Sequence, residues 1–316
     1  MSQTKLILSG SIAIDRIMSF NGRFTDKIQP DKLDVLSVSI LIDELEIAHG
    51  GIGANISRAA VQLGMKPILL GAVGPDGKEY LQELQAVGID TAHVHRSKRP
   101  TAMFSVITDL DHNQVGGFYP GAMSDSASVS LKPWQGKDAI VCISAHDPEA
   151  MCRQVQECKR YGLRLFYDPG QQANNLSGED LSAGCDVAEI VVVNDYELGQ
   201  LIKKIGKSAD QLEQSAQLFI TTHSKDGSTL AGTSVKKQDI PAAKPDKVVD
   251  PTGAGDMYRV GLLYGLINNW ELVDCARLGS VIASFNVESP LPVPTLSRDA
   301  IVTRYKQTFD KEITLP

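Results

Sequence analysis

Asp250-Pro-Thr-Gly-Ala-Gly-Asp256, followed by MYRVGLLYGLINNW over residues 257–270, decides how the rest of the chain is read. The apolar residues after Asp256 recur at helical spacing, so a glycine-rich turn opens a helix there. Small residues at Gly253, Ala254 and Gly255 let a backbone approach an anion closely. The helix N-terminus behind them offers unpaired N–H groups and the positive end of a dipole. Asp256 falls in the first turn, where its carboxylate could take a proton from a hydroxyl attacking a phosphate bound at that site. Taken alone, the same aspartate could equally complement the helix dipole after a glycine turn.

Working outward, short runs rich in Val, Ile and Leu alternate with helical patterns: KLILSGSI, PILLGAV, DAIVCIS, LRLFYD, EIVVV and QLFITT. Such runs are strands of a buried, parallel sheet. Helices begin near Gly53, Asp76, Pro148, Asp195, Ala254 and Glu271, several of them just after a strand or a glycine-rich turn. This rhythm predicts an α/β fold, a doubly wound, mostly parallel sheet flanked by helices, as one domain over residues 1–316. Two stretches break the rhythm, 14–45 and 99–121, and read as antiparallel strands outside the main sheet. In the second, AMFSVITD and QVGGFY flank the turn-like LDHN.

Hydrophobic content of 42% and charged content of 22% are those of an ordinary folded protein. The formal charge of -7 is spread along the chain and opposes binding to a polyanion, so nucleic acid is not an expected partner. The opening MSQTKLILSGSIAID meets a charge at Asp15 and reads as a first strand, not a secretory signal. No stretch approaches the length of a membrane span. Cys142, Cys152, Cys158, Cys185 and Cys275 form no CxxC pair and are odd in number, which opposes a disulfide framework or a zinc site and fits a reducing cytoplasm.

The heptapeptide at 250–256 resembles the second signature of the ribokinase (PfkB) family, D-[TP]-x-GAGD. There the loop forms an anion hole and its final aspartate is the catalytic base, which the resemblance places on Gly253, Ala254, Gly255 and Asp256. Gly50-Gly51-Ile52-Gly53-Ala54-Asn55 is similar to the family's GG-x3-N element, whose glycines act as a hinge for lid closure and whose Asn contacts substrate hydroxyls. Alone, two glycines before a helix are more often a turn with an N-terminal cap. Asn194-Asp195-Tyr196-Glu197 resembles the N-x-x-E motif near magnesium and the phosphates, where Glu197 would order metal-bound water. Its plainer reading is a solvated helix start. Thr222 to Gly227 resembles the T-x-G-x-x-G nucleotide loop, with Ser224 in place of its first glycine.

Asp15, placed at the end of the first strand, corresponds to the family aspartate that holds substrate hydroxyls, although a strand-end Asp is often only a turn residue. Asn286 sits where relatives approach the adenine. The resemblance therefore implies ATP across Asn194, Glu197, Thr222, Gly227 and Asn286, substrate on Asp15, Gly50, Gly51 and Asn55, and Mg2+ as cofactor. It also implies a lid built from 14–45 and 99–121. Relatives often use a monovalent cation, and Asp250 with neighbouring carbonyls could offer oxygen ligands to K+.

A dinucleotide oxidoreductase is excluded because neither Gly51-Ile52-Gly53 nor Gly253-Ala254-Gly255 continues as G-x-G-x-x-G. A Walker loop fails at Gly74-Pro75-Asp76-Gly77-Lys78-Glu79, where a Glu stands in place of Ser or Thr. A binding protein that senses nucleosides or sugars without turnover stays open through Ser224. For the substrate, the alternatives are a nucleoside, adenosine first, and a sugar such as ribose or fructose. Phe20, Phe24, Phe104, Phe118 and Tyr119 lie in the lid segments of a chain with only 6% aromatic residues, and Met18, Met103 and Met123 lie in or beside them. They suit a flat apolar slot for a base, with Phe118 stacking on it. The other reading is that they pack the lid strands together or against a second subunit, as a homodimer through the lid. GSIAIDRIMSFNGRF, FYPGAM and DPTGAGDMYRVGLLYGL resemble adenosine-kinase-like members more than ribokinases or fructokinases.

Overall fold

The computed structural model describes residues 4–28, 34–35 and 37–315. Its first part runs β1 (Lys5–Ser9), β2 (Ala13–Ser19), β3 (Glu44–Gly50), α1 (Ile52–Gln62), β4 (Pro67–Leu70), β5 (Ala72–Val73), α2 (Lys78–Ala86), β6 (His95–Arg96), β7 (Ala102–Thr108) and β8 (Gln114–Tyr119). It continues through β9 (Ala139–Ile143), α3 (Pro148–Tyr161), β10 (Arg164–Tyr167), α4 (Gly178–Val187), β11 (Ile190–Asn194) and α5 (Asp195–Ile205). The last part is α6 (Ala209–Glu213), β12 (Leu218–Thr222), β13 (Ser228–Ala231), β14 (Gln238–Ile240), α7 (Ala254–Ile267), α8 (Leu272–Val287) and α9 (Arg298–Phe309).

The large sheet has eight strands in the order β14-β13-β12-β11-β10-β9-β1-β4. From β4 to β12 every pairing is parallel, and β13 and β14 close one edge antiparallel. The apolar runs are unbroken because both faces are covered. Leu6 and Leu8 of β1, Ile140 and Cys142 of β9 and Ile190 and Val192 of β11 pack under α1, α2, α7, α8 and α9. Their alternates Ile7, Val141, Val191 and Val193 pack under α3, α4, α5 and α6. Period-two alternation thus divides each strand between two cores.

The smaller sheet, β3-β2-β7-β8, holds the two stretches that broke the rhythm. Its β2–β7 pairing is parallel and the other two are antiparallel. Two boundaries differ from the sequence reading. The first strand ends at Ser9, and Asp15 is the third residue of β2, because Gly10 packs against Gly53 at the point where the chain leaves the large sheet. The strand expected to finish by residue 45 runs on to Gly50, since Ala48, His49 and Gly50 pair with Asp15, Ile14 and Ala13. Residues 29–33 and 36 of the expected segment lie outside the described residues. No described helix is long and apolar enough to cross a membrane.

Candidate active site

The loop before α7 is set by its own backbone bonds. Asp250 Oδ1 accepts the Thr252 N–H at 2.8 Å, and the N–H groups of Val249 and Asp250 donate to the Val287 carbonyl. Gly253 caps the helix with φ 86°, a conformation that favours glycine, and a Cβ there would stand 2.9 Å from the Pro292 carbonyl oxygen. The Ala254 N–H donates to Pro251 O at 3.1 Å, so the donors left at the helix start are those of Gly255 and Asp256. Turn closure thus occupies the Ala254 amide.

Asp256 lies in the first turn of α7 and is half-buried, with protein packed closely around it. Burial pushes its carboxyl up from the ordinary 3.8 to about 7, against the opposing influence of Arg259 and a hydrogen bond from the Asn55 side chain. Asn55, on α1, is buried, and its Oδ1 has no hydrogen-bond partner. An unpaired buried acceptor is costly unless a ligand completes it.

The glycines before α1 are required by close contact. Gly51 has φ 97°, and a Cβ there would stand 2.6 Å from the Ser11 carbonyl oxygen. A Cβ on Gly50 would stand 2.2 Å from Asp15 Oδ2, so the Asp15 carboxyl rests against the Gly50 backbone, where burial raises its pKa. Asp15, Ala48, Phe104 and Phe118 are in-register neighbours across the small sheet and share one face. Phe104 is 38% exposed and Phe118 49% exposed on that face. Phe20 and Phe24 are instead buried against each other, centroids 6.0 Å apart, and Met123 is buried too. Met18, Met103 and Tyr119 point to the face opposite Asp15. Of the aromatic and methionine residues in these segments, Phe104 and Phe118 are the pair beside the aspartate.

Asn194 ends β11 and caps α5. Its Oδ1 accepts the Glu197 N–H at 2.8 Å, while Glu197 Oε2 accepts the Asn194 N–H at 2.9 Å. The helix-start reading of this motif is therefore present as a capping box. Glu197 is nevertheless buried, and its pKa is raised by burial and then by the Asp168 charge. Thr222 ends β12, with Oγ1 3.4 Å from Val193 O. Ser224 takes φ 53°, the left-handed region that glycine adopts most readily. Gly227 has φ 100°, and a Cβ there would stand 2.0 Å from Ile240 O. Asn286 is fully buried behind the anion loop, its amide 3.1 Å from Pro292 O and 3.4 Å from Leu291 O. Its Oδ1 has no hydrogen-bond partner.

The sequence reading did not single out Arg259 and Asp168. Arg259 Nη2 donates to Asp168 Oδ1 at 2.5 Å, Nε contacts Oδ2, and both residues are buried. The signals were present: an Arg in an otherwise apolar helix three residues after Asp256, and an Asp closing the strand LRLFYD.

The family model for pfkB carbohydrate kinases matches residues 14–297. The chain belongs to the PfkB carbohydrate kinase family. A PfkB member is a phosphotransferase with an alcohol group as acceptor and ATP as donor, and the sensor alternative gives way. A nucleoside kinase from Methanothermobacter thermautotrophicus is 33% identical over 83% of this chain and 85% of its own length. The structure of Burkholderia thailandensis nucleoside kinase in complex with inosine superimposes with a TM-score of 0.85 at 29% identity, covering 97% of this chain and 99% of that one. Methanocaldococcus jannaschii nucleoside kinase, described as an archaeal member of the ribokinase family, also gives 0.85, at 27% identity, over 97% of this chain and 100% of that one. This PfkB chain thus shares its architecture with nucleoside kinases and with ribokinases.

Proposed function

We propose that this protein is an ATP-dependent nucleoside kinase that phosphorylates the 5′-hydroxyl, with adenosine the favoured acceptor. The observation that carries the reading is the row Asp15–Phe104–Phe118. It sets a carboxyl able to hold ribose hydroxyls beside two exposed rings on which a base can stack. A free sugar would leave both rings in water.

In the mechanism, Asp15, the Gly50–Gly51 backbone and Asn55 hold the ribose, with Asn55 Oδ1 accepting from a hydroxyl. Asp256 takes the proton from the 5′-oxygen, that oxygen bonds to the γ-phosphorus, and the bond to the bridging oxygen of ADP breaks. The Gly255 and Asp256 N–H groups receive the charge on the transferring group. The small sheet acts as a lid that excludes water, a competing acceptor.

Among the described residues no three His, Cys, Asp or Glu side chains gather into a metal cage, and Mg2+ usually keeps several waters and takes few protein ligands. Glu197, buried and with one oxygen outside its capping box, would hold it through water. When bound, the ion neutralises charge on the phosphates. Asp250 would contribute to a K+ site, tested by activation with K+ over a large organic cation at equal ionic strength.

Leu45, Ile47, Val115 and Tyr119 are exposed on the face opposite Asp15, and a homodimer through the lid would cover them. A sedimentation experiment showing a monomer refutes that part. A cytoplasmic location belongs to the same reading.

The test is a phosphorylation assay with ATP and a panel of adenosine, inosine, ribose and fructose. Higher kcat/KM for adenosine than for either sugar is expected. Robust use of ribose or fructose with no use of any nucleoside overturns the nucleoside reading and leaves the kinase assignment intact.

A further inference from the structure

The start of α7 contains one long charged side chain that the phosphoryl-transfer scheme above does not use. Arg259 lies one helical turn after Asp256, and its side chain runs back toward the helix N-terminus, as long side chains on helices do. Two of its nitrogens face the Asp168 carboxylate. The third, Nη1, lies against the anion loop: a Cβ on Gly255 would stand 2.7 Å from it. The small residue at 255 therefore makes room for a guanidinium beneath the loop as well as for an anion above it. Asp168 sits at the carboxyl end of β10, so the ion pair ties the large sheet to the turn that carries the base across 91 residues of sequence.

We propose, resting on the reading of Asp256 as the base, that Arg259 is a positioning residue. Held by Asp168, it seats the Gly253–Asp256 turn and supplies the positive charge that lets Asp256 stay ionised in a buried setting. The groups around Asp256 leave this task to Arg259. Asn55 on α1 offers a neutral hydrogen bond, Asp168 after β10 and Glu197 on α5 bring further carboxyl groups, and Cys142 on β9 is a buried thiol whose pKa is pushed up to about 12. Three carboxyl groups thus share one guanidinium. Burial raises Asp256, Arg259 opposes the rise and Asp168 adds to it, so the two partners of the pair act on the base with opposite sign.

Opposite signs separate this role from a purely architectural one. The pH dependence of kcat/KM would be measured from pH 5.5 to 9.5 on the holoenzyme with MgATP, using whichever panel acceptor the wild type turns over. Arg259→Gln should move the acid limb up by about one to three pH units, so that activity lost at neutral pH recovers in alkali. Asp168→Asn should move the limb down, and Arg259→Lys, which keeps the charge, should leave it in place. Loss of activity in Arg259→Gln with an unmoved limb, or a shift of both neutral variants in one direction, overturns the proposal. If Arg259→Gln does not fold because Asp168 is left as a lone buried charge, Asp168→Asn decides, and an unmoved limb there is refuting. Asp256→Asn run in parallel tells the two ideas apart. Near-normal kcat in that variant removes the base itself, whereas an inactive Asp256→Asn beside an unmoved Arg259→Gln limb removes only the role given to Arg259.

Discussion

Replacing Asp256 with Asn should cut turnover sharply and stabilise the protein at the same time. The carboxyl is raised from 3.8 to about 7, roughly three pH units, which corresponds to ~4 kcal/mol of preference for the neutral form in the folded chain. The carboxylate is partly exposed, so the share recovered on removing the charge is smaller, about 1–3 kcal/mol. The sign follows from the direction of the shift. Below pH 3.8 the carboxyl is protonated in folded and unfolded chains alike, and the charge contributes nothing. Between 3.8 and about 7 the unfolded chain ionises first, so the wild type loses stability as pH rises, and above about 7 the loss is complete. Asparagine carries no such penalty. Thermal melts of the two proteins should therefore nearly coincide at pH 4 and separate by pH 8, with Asp256→Asn the higher. Its kcat at pH 8 should fall by about 10²–10⁴. A variant less stable than wild type at pH 8, or equally displaced at both pH values, would refute the argument that a desolvated charge is kept for catalysis.

Gly50→Ala places a methyl group 2.2 Å from Asp15 Oδ2, and the carboxylate must move; KM for the acceptor should rise tenfold or more, read by steady-state kinetics on a variant that still melts cooperatively. Phe118→Ala should weaken adenosine use by about 1–3 kcal/mol in kcat/KM and leave any use of ribose unchanged, and equal losses on both would count against base stacking. Ser224→Gly should leave KM for ATP unchanged and stability within about 1 kcal/mol, because relief of the left-handed strain is offset by the greater backbone freedom of glycine. A large fall in KM for ATP would show that the serine obstructs the nucleotide loop.

Much of the architecture was legible in the linear chain. The runs KLILS, AIVCI and IVVVN are buried on both faces, and only a parallel sheet covered on two sides produces such strands. The GAGD turn and the Gly50–Gly51 pair were legible for the same kind of reason. They are local backbone requirements, written as residue types at fixed spacing.

What remained hidden depends on neighbours distant in sequence. That Asp15 shares a face with Phe104 and Phe118, while Tyr119 faces away, is a matter of register between strands some 90 residues apart, and a one-residue slip would reverse it. The burial of Phe20 against Phe24 and the turn that consumes the Ala254 amide depend on packing and turn geometry that composition does not carry. Arg259 with Asp168 is the clearest case. An Arg in an apolar helix and an Asp ending a strand are unremarkable separately, and only the meeting of β10 with the start of α7 makes them one buried ion pair beside the base. Local sequence determined which backbone conformations this protein adopts, and tertiary contact decided which charges those conformations bring together, because electrostatic influence depends on distance in space and not along the chain.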